Sequence, residues 1–131
     1  MTHTPDIRVL AAVIRRHDRY LVAQRPAGKR HGGLWEFPGG KVRDGEGTEA
    51  AMRRELREEL ALDAVACGDV LYTRRDPGSP FVVEFITVDV AGEAHTMEHQ
   101  ALAWCTTSEL LDLPLSPADR FFVEHYLLNE P

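Results

Sequence analysis

Met52, Leu56 and Leu60 recur at i, i+4 and i+8 in a stretch that is otherwise almost wholly charged, and this restricts what the segment can become. At about 100° per residue the three fall on one narrow stripe of a helix. Ala50, Arg53 and Arg57 point away from that stripe, whereas Glu55, Glu58 and Glu59 crowd its flank, with Ala51 and Leu62 on the same side. The pattern predicts a helix over about Glu49 to Ala61, capped by Thr48, with Glu49 where the helix dipole favours an acid. Arg54 and Glu58 form an opposite-charge i, i+4 pair, as a solvated face would. Glu55 and Glu59 form a like-charge pair, which destabilises a helix by roughly 0.2–0.5 kcal/mol. Charge runs are usually solvated faces, but this crowding of acids is also what a binding site needs.

Strands surround this helix. IRVLAAVIRR is rich in β-branched and small apolar residues and predicts a buried strand; with the turn His17-Asp18-Arg19 and the strand YLVAQR it predicts a hairpin. Residues 26–33, PAGKRHGG, read as a basic loop, and the short apolar LWEF is stopped by PGG. VLYTRR and FVVEFITVDV predict a strand pair joined by the turn Asp76-Pro77-Gly78-Ser79-Pro80, and LAWCT predicts another strand. Thr107 or Ser108 caps a short helix over SELLDL. Ser116 and Pro117 open a last helix, with Phe122, Val123 and Tyr126 on its buried side. Helices mixed with a largely hairpin-built sheet give the α+β or mixed α/β class.

Composition narrows the function. A chain of 131 residues is the size of one domain, and 44% hydrophobic residues suffice for a core. No apolar run is long enough to span a membrane. The run Val9 to Ile14 is too short for a signal peptide and no small-residue cleavage site follows, so a cytoplasmic protein is expected. A net charge of −6 argues against a surface that coats a polymeric nucleic acid. It is compatible with a small anionic substrate if divalent cations stand between acids and phosphates. Cys67 and Cys105 lack metal-ligand spacing and read as reduced thiols. Gly40-Lys41-Val42 lacks the Ser/Thr and the glycine spacing of a P-loop.

The residues before the charged helix favour the site. Gly39-Gly40 is suited to a tight turn that exposes carbonyls, and Glu46 adds a fourth carboxylate near the helix start. Oxygen donors in this number suit Mg²⁺, which keeps several waters and bridges to substrate phosphates.

Gly40, five residues, Glu46, seven residues, Arg54-Glu55-Leu56-Arg57-Glu58-Glu59 and then Leu62 resemble the Nudix box, with Ala61 where the family has Gly at the helix C-terminus. VAQRP, LWEFPGGKV, EHQALAWC and PLSPAD extend the resemblance over most of the chain, toward the MutT-like branch and its CTP pyrophosphohydrolases. The resemblance implies an α/β/α sandwich around a mixed sheet. It implies conversion of a nucleoside triphosphate to monophosphate and pyrophosphate with Mg²⁺, or Mn²⁺ in its place. Glu55, Glu58, Glu59 and the carbonyl of Gly39 would hold metal; Arg54 and Glu46 would orient and support them. Glu98 stands where the branch has a loop carboxylate that binds metal or takes a proton from water, its alternative being an ordinary exposed acid.

Arg25 takes the position used for phosphate or base contact, whereas Lys29, Arg30 and His31 read as a solvated loop. Asp119 is either the base reader of the branch or an acid completing a helix cap. Ionised, it suits the amine of cytosine; protonated, it can donate to 8-oxoguanine. Trp35, Phe37 and Trp104 read as core, with stacking of Phe37 or Trp35 on a base as the alternative. The implied substrate is CTP, dCTP or a modified cytosine nucleotide, with 8-oxo-dGTP in pool sanitation as the alternative. A nucleotide-binding Nudix module without activity is the reading from another class, and the complete acid set argues for the enzyme. A monomer is expected, with a dimer as the alternative.

Overall fold

The computed structural model describes residues 6–99 and 101–129. Along the first strand, β1 (Ile7–Val13), and its continuation at Ile14, Leu10, Ala12 and Ile14 bury on one face and Ala11 and Val13 on the other. A strand with two apolar faces must be covered on both sides, and such strands read as continuous apolar runs. Here β1 sits inside a mixed sheet of order β5-β1-β7-β6, with β5 (Gly39–Lys41), β6 (Asp63–Arg74) and β7 (Phe81–Ala91). β1 runs parallel to β7 and antiparallel to β5, and β6 is antiparallel to β7. A second sheet is built on β3 (Arg19–Gln24), which pairs with β2 (Arg15–Arg16), β4 (Trp35–Glu36) and β8 (Ala101–Cys105).

The helix α1 (Thr48–Leu60) covers one side. Its stripe residues Met52, Leu56 and Leu60 are fully buried against Leu10, Ile14, Leu21 and Ile86. On the other side α2 (Thr107–Asp112) and α3 (Pro117–His125) cover Phe85, Val22 and Cys105 through Leu110, Phe122 and Val123, and a 3₁₀ turn, Leu127–Asn129, follows. This is the expected α/β/α layering with a mixed sheet. Both cysteines are free, Cys105 in the core and Cys67 half-buried.

Several local expectations are corrected. The hairpin forms only at its tip, where Arg15 and Arg16 pair with Tyr20 and Arg19. β1 itself leaves β3 for the other sheet, where a central position buries both its faces. Gly39-Gly40 is not a turn but the strand β5; a Cβ on Gly39 would collide with the Leu10 carbonyl, so glycine permits this pairing. Gly47, not Thr48, caps α1, and the Thr48 hydroxyl instead accepts from Arg8 Nη2 at 2.9 Å. Thr106, one residue earlier than expected, caps α2 in a reciprocal box with Glu109.

Ala61 takes the left-handed conformation that ends α1, φ 54° and ψ 31°, with its N–H on the Arg57 carbonyl and the Leu62 N–H on the Leu56 carbonyl. The helix end therefore keeps the geometry a glycine would give, and the alanine bears the steric strain. Ala61→Gly is expected to raise stability by about 1 kcal/mol, relief of strain being partly offset by a freer unfolded chain. Thermal unfolding checks this, with Tm rising by about 3 °C.

Candidate active site

Arg54 organises the acids. Its Nε and Nη2 donate to both oxygens of Glu46, each at 2.7 Å, while Nη1 donates to Glu55 at 2.8 Å and lies 3.5 Å from Glu58. Nη2 also reaches the Lys41 carbonyl at 3.0 Å, which ties the helix to the end of β5. The bidentate fork is the geometry an arginine offers and a lysine cannot. The Arg54 guanidinium, helped by the Arg43 N–H, holds the Glu46 carboxyl down at about 2. The carboxylate surroundings in turn raise Arg54.

Glu55 and Glu59 show the opposite electrostatics. Burial raises Glu55, and Arg54 only partly restores it. A Cβ on Gly40 would stand 2.5–2.6 Å from the Glu55 carboxyl, so glycine leaves that space to the acid. Burial, then Glu55 and Glu36, push Glu59 up to about 8 against the pull of the Gly39 N–H, which donates to it at 3.3 Å. Glu59 is thus not the surface-facing acid its wheel position suggests; the β4–β5 segment closes over it. Glu58 is exposed.

Glu98 lies on the irregular segment before β8. It is exposed, close enough to Glu59 to add to its upward shift. That segment is hung on the end of α1: His95 N–H donates to the Leu60 carbonyl at 2.8 Å and Met97 N–H to the Glu59 carbonyl at 3.1 Å. Carbonyls of a last helical turn lack partners within the helix, and these amides supply them. Gln100 of the EHQALAWC stretch lies outside the described residues.

A cleft of about 440 Å³ opens beside these acids, walled by Arg25, Glu36, Phe37, Gly40, Ser116 and Asp119. Arg25 donates from Nη1 to both Glu36 oxygens, at 3.2 and 3.3 Å, and from Nε to the Arg30 carbonyl at 2.8 Å. Asp119 is 7% exposed, and one of its oxygens accepts the Phe37 N–H at 2.8 Å. Burial pushes its carboxyl up to about 8, with Glu36 adding to the rise and the Phe37 N–H opposing it. Near neutral pH Asp119 is therefore a neutral carboxylic acid, a donor as well as an acceptor.

The stacking role expected of Phe37 meets a correction. Its ring is 3% exposed and lies edge-on against Phe85 and Phe122, at 6.0 and 5.3 Å between centroids. The main chain of Phe37, through its N–H, is what faces Asp119. Glu36 was missed by sequence reasoning, although an acid between Trp35 and Phe37 in an apolar run was a signal. Glu36 lines the cleft, and its charge adds to the upward shift of both Glu59 and Asp119.

The donor set is suited to a hard divalent cation. All its side-chain donors are carboxylate oxygens, and two of them, Glu55 and Glu59, are held close and half-buried, an arrangement that a cation relieves. Among the described residues no three acids converge on one point, since Arg54 engages Glu55 and Gly39 engages Glu59.

The NUDIX domain model matches residues 4–126. The chain belongs to the Nudix family. The CTP pyrophosphohydrolase of Escherichia coli K12 is 40% identical over 124 residues, covering 92% of this chain and 91% of that protein. The putative 8-oxo-dGTP diphosphatase 2 of Mycobacterium tuberculosis H37Rv is 39% identical over 118 residues, covering 88% and 84%. Among solved structures, the E. coli ORF135 protein superposes with a TM-score of 0.78 at 41% identity, covering 92% of this chain and 87% of the other. A MutT Nudix hydrolase from Burkholderia pseudomallei superposes with a TM-score of 0.79 at 30% identity, covering 93% and 98%. As a Nudix hydrolase the chain is an enzyme of a family that uses divalent cations and acts on small nucleotide substrates. Among the described residues no helix is long and apolar enough to cross a membrane.

Proposed function

We propose that this chain is a Mg²⁺-dependent nucleoside triphosphate pyrophosphohydrolase, a single Nudix domain acting as a cytoplasmic monomer. It takes CTP, dCTP or a modified cytosine nucleotide and water to the monophosphate and pyrophosphate. The observation that carries this reading is a cleft whose wall holds a neutral, buried Asp119 and also Gly39, the residue whose N–H reaches the half-buried Glu59. The Gly39 side suits a cation-bound phosphate chain, the Asp119 side a base edge.

Glu55, Glu58 and Glu59 would hold the metal, with the Gly39 carbonyl and Glu98 completing the set. When bound, the metal neutralises phosphate charge and lowers the pKa of water. Arg54 and Glu46 keep Glu55 and Glu58 on their side of α1. Glu98, exposed and near enough to Glu59 to raise it, would take the proton of the attacking water. Arg25 offers its guanidinium to phosphate oxygens at the cleft wall.

Asp119 donates from its neutral carboxyl while its other oxygen stays on the Phe37 N–H. That donor fits N3 of cytosine. It equally fits O6 of 8-oxoguanine, and this favours 8-oxo-dGTP diphosphatase activity as the second reading. Hydrolysis of CTP, dCTP, 5-methyl-dCTP, 8-oxo-dGTP and dGTP with Mg²⁺, followed by product chromatography with an EDTA control, separates the two. Asp119→Asn is expected to change the ratio of kcat/KM between the best and second-best base by roughly ten- to a hundredfold, about 1–3 kcal/mol. Its Mg²⁺ dependence should match wild type; an equal loss on all bases would make Asp119 a structural acid.

A further inference from the structure

The Met97 N–H on the Glu59 carbonyl brings the chain to α1, but the exposed Glu98 side chain has no packing of its own to hold it there. Residues 92–99 have no regular structure, and Met97 and Glu98 are both exposed. Upstream, the segment is held by the two amide bonds to α1 and by Ala94 against the core. Downstream, the next residue after Glu98 behaves differently. The His99 side chain is 5% exposed, and its Nε2 lies 3.0 Å from a Glu36 oxygen across 63 residues of sequence. The other described histidines, His17, His31, His95 and His125, are exposed.

Glu36 is a fixed point. β4 pairs it with Ala23, and Arg25 grips both its oxygens, so the acceptor offered to His99 cannot easily swing away. A carboxylate accepts, so His99 donates from Nε2–H, which leaves Nδ1 as the ring's second polar atom. That Nδ1 is buried and has no hydrogen-bond partner among the described residues. A buried polar atom left unpaired is destabilising, and an apolar side chain would fill the space at lower cost. What an imidazole brings and an apolar residue lacks is the Nε2–H bond to Glu36.

We propose that His99 is a positioning residue: its bond to Glu36 pins the segment that carries Glu98, holding Glu98 over Glu59 at the end of α1. The pin acts on Glu98 and not on substrate, since His99 is not in the cleft wall while Glu36 is. The role assigned to Glu98 rests on the pyrophosphohydrolase reading; the pin itself does not.

Amide hydrogen exchange over residues 92–99 tests the pin, and kinetics test its purpose. His99→Ala is expected to speed exchange at His95 and Met97 about tenfold or more, with exchange in β1 and β7 unchanged. On the best nucleotide it should lower kcat about tenfold with KM within about twofold, and His99→Gln, whose amide reaches Glu36, should recover most of both effects. In a Glu98→Gln background His99→Ala should cost nothing further, because the two act as a unit. Unchanged loop exchange, or exchange that rises equally in β1 and β7, overturns the pin. An equal fractional loss of kcat in both backgrounds, or a loss confined to KM, overturns its action through Glu98. A wild-type protein that hydrolyses none of the nucleotides sinks the pyrophosphohydrolase reading instead, and exchange alone then decides the pin.

Discussion

Glu59→Gln is expected to lower kcat by about a thousandfold, the several kcal/mol of barrier that a bound metal supplies, and to leave the fold intact. The same substitution should stabilise the protein when no metal is present. Burial holds Glu59 at about 8, against 4.5 for an ordinary carboxyl. An unfolded chain releases this proton near 4.5, whereas the folded chain keeps it to about 8. Across that window the unfolded state binds fewer protons, so stability falls as pH rises. The contribution is whole below the lower value and gone above the upper one. Asp119 titrates over the same range, and only the difference between wild type and variant isolates Glu59. Melting curves in EDTA from pH 5 to pH 9 should therefore diverge, with the glutamine variant gaining on wild type up to about pH 8. Mg²⁺ should raise the Tm of wild type and raise that of the variant less, by mass action on a site that has lost a ligand. Near-normal turnover of the variant at saturating Mg²⁺ would remove Glu59 from the metal set.

Phe122→Ala should produce the largest loss of stability, about 3–5 kcal/mol. Phe122 is fully buried, stacked on Phe85 at 4.3 Å between centroids and edge-on to Phe37 at 5.3 Å. Nothing at the surface can move in to fill the gap, because Tyr72 and Tyr126 already pack on the remaining sides. Denaturant unfolding should show the midpoint fall with little change in m. The effect should also reach the cleft. Phe37 is held by this cluster, and its N–H is what anchors Asp119. Below the melting range, KM for the nucleotide should rise more than kcat falls. A variant with wild-type stability would mean that α3 is not held by the aromatic cluster.

Much of this was legible along the chain. The stripe Met52, Leu56 and Leu60 is buried as its spacing requires, and Ala50, Arg53 and Arg57 are exposed on the opposite face. Of the acids that share the flank, Glu55 and Glu58 meet around Arg54, whereas Glu59 goes to the Gly39 N–H. What spacing did not reveal is the hub itself: Glu46 and Arg54 form a bidentate pair only because the loop before α1 turns back onto the helix. Glu59 read as an exposed acid because a helical wheel knows nothing of β5 lying across it. Phe37 kept stacking open as an alternative to core because its aromatic neighbours come from β7 and α3.

By itself the sequence determined the three helices and most of the strands, how both faces of β1 would be apolar, and how the acids would be spaced on α1. Those properties are periodic and local, set by residues within a turn or two of each other. Only the tertiary structure decided that β1 runs parallel to β7, that Gly39-Gly40 is a strand, and that Glu36 meets both Arg25 and His99. It alone decided that Glu59 and Asp119 hold their protons to about 8. A carboxyl is pushed up when water is excluded from around it, and which groups lose their water depends on segments far apart in the chain packing into one volume.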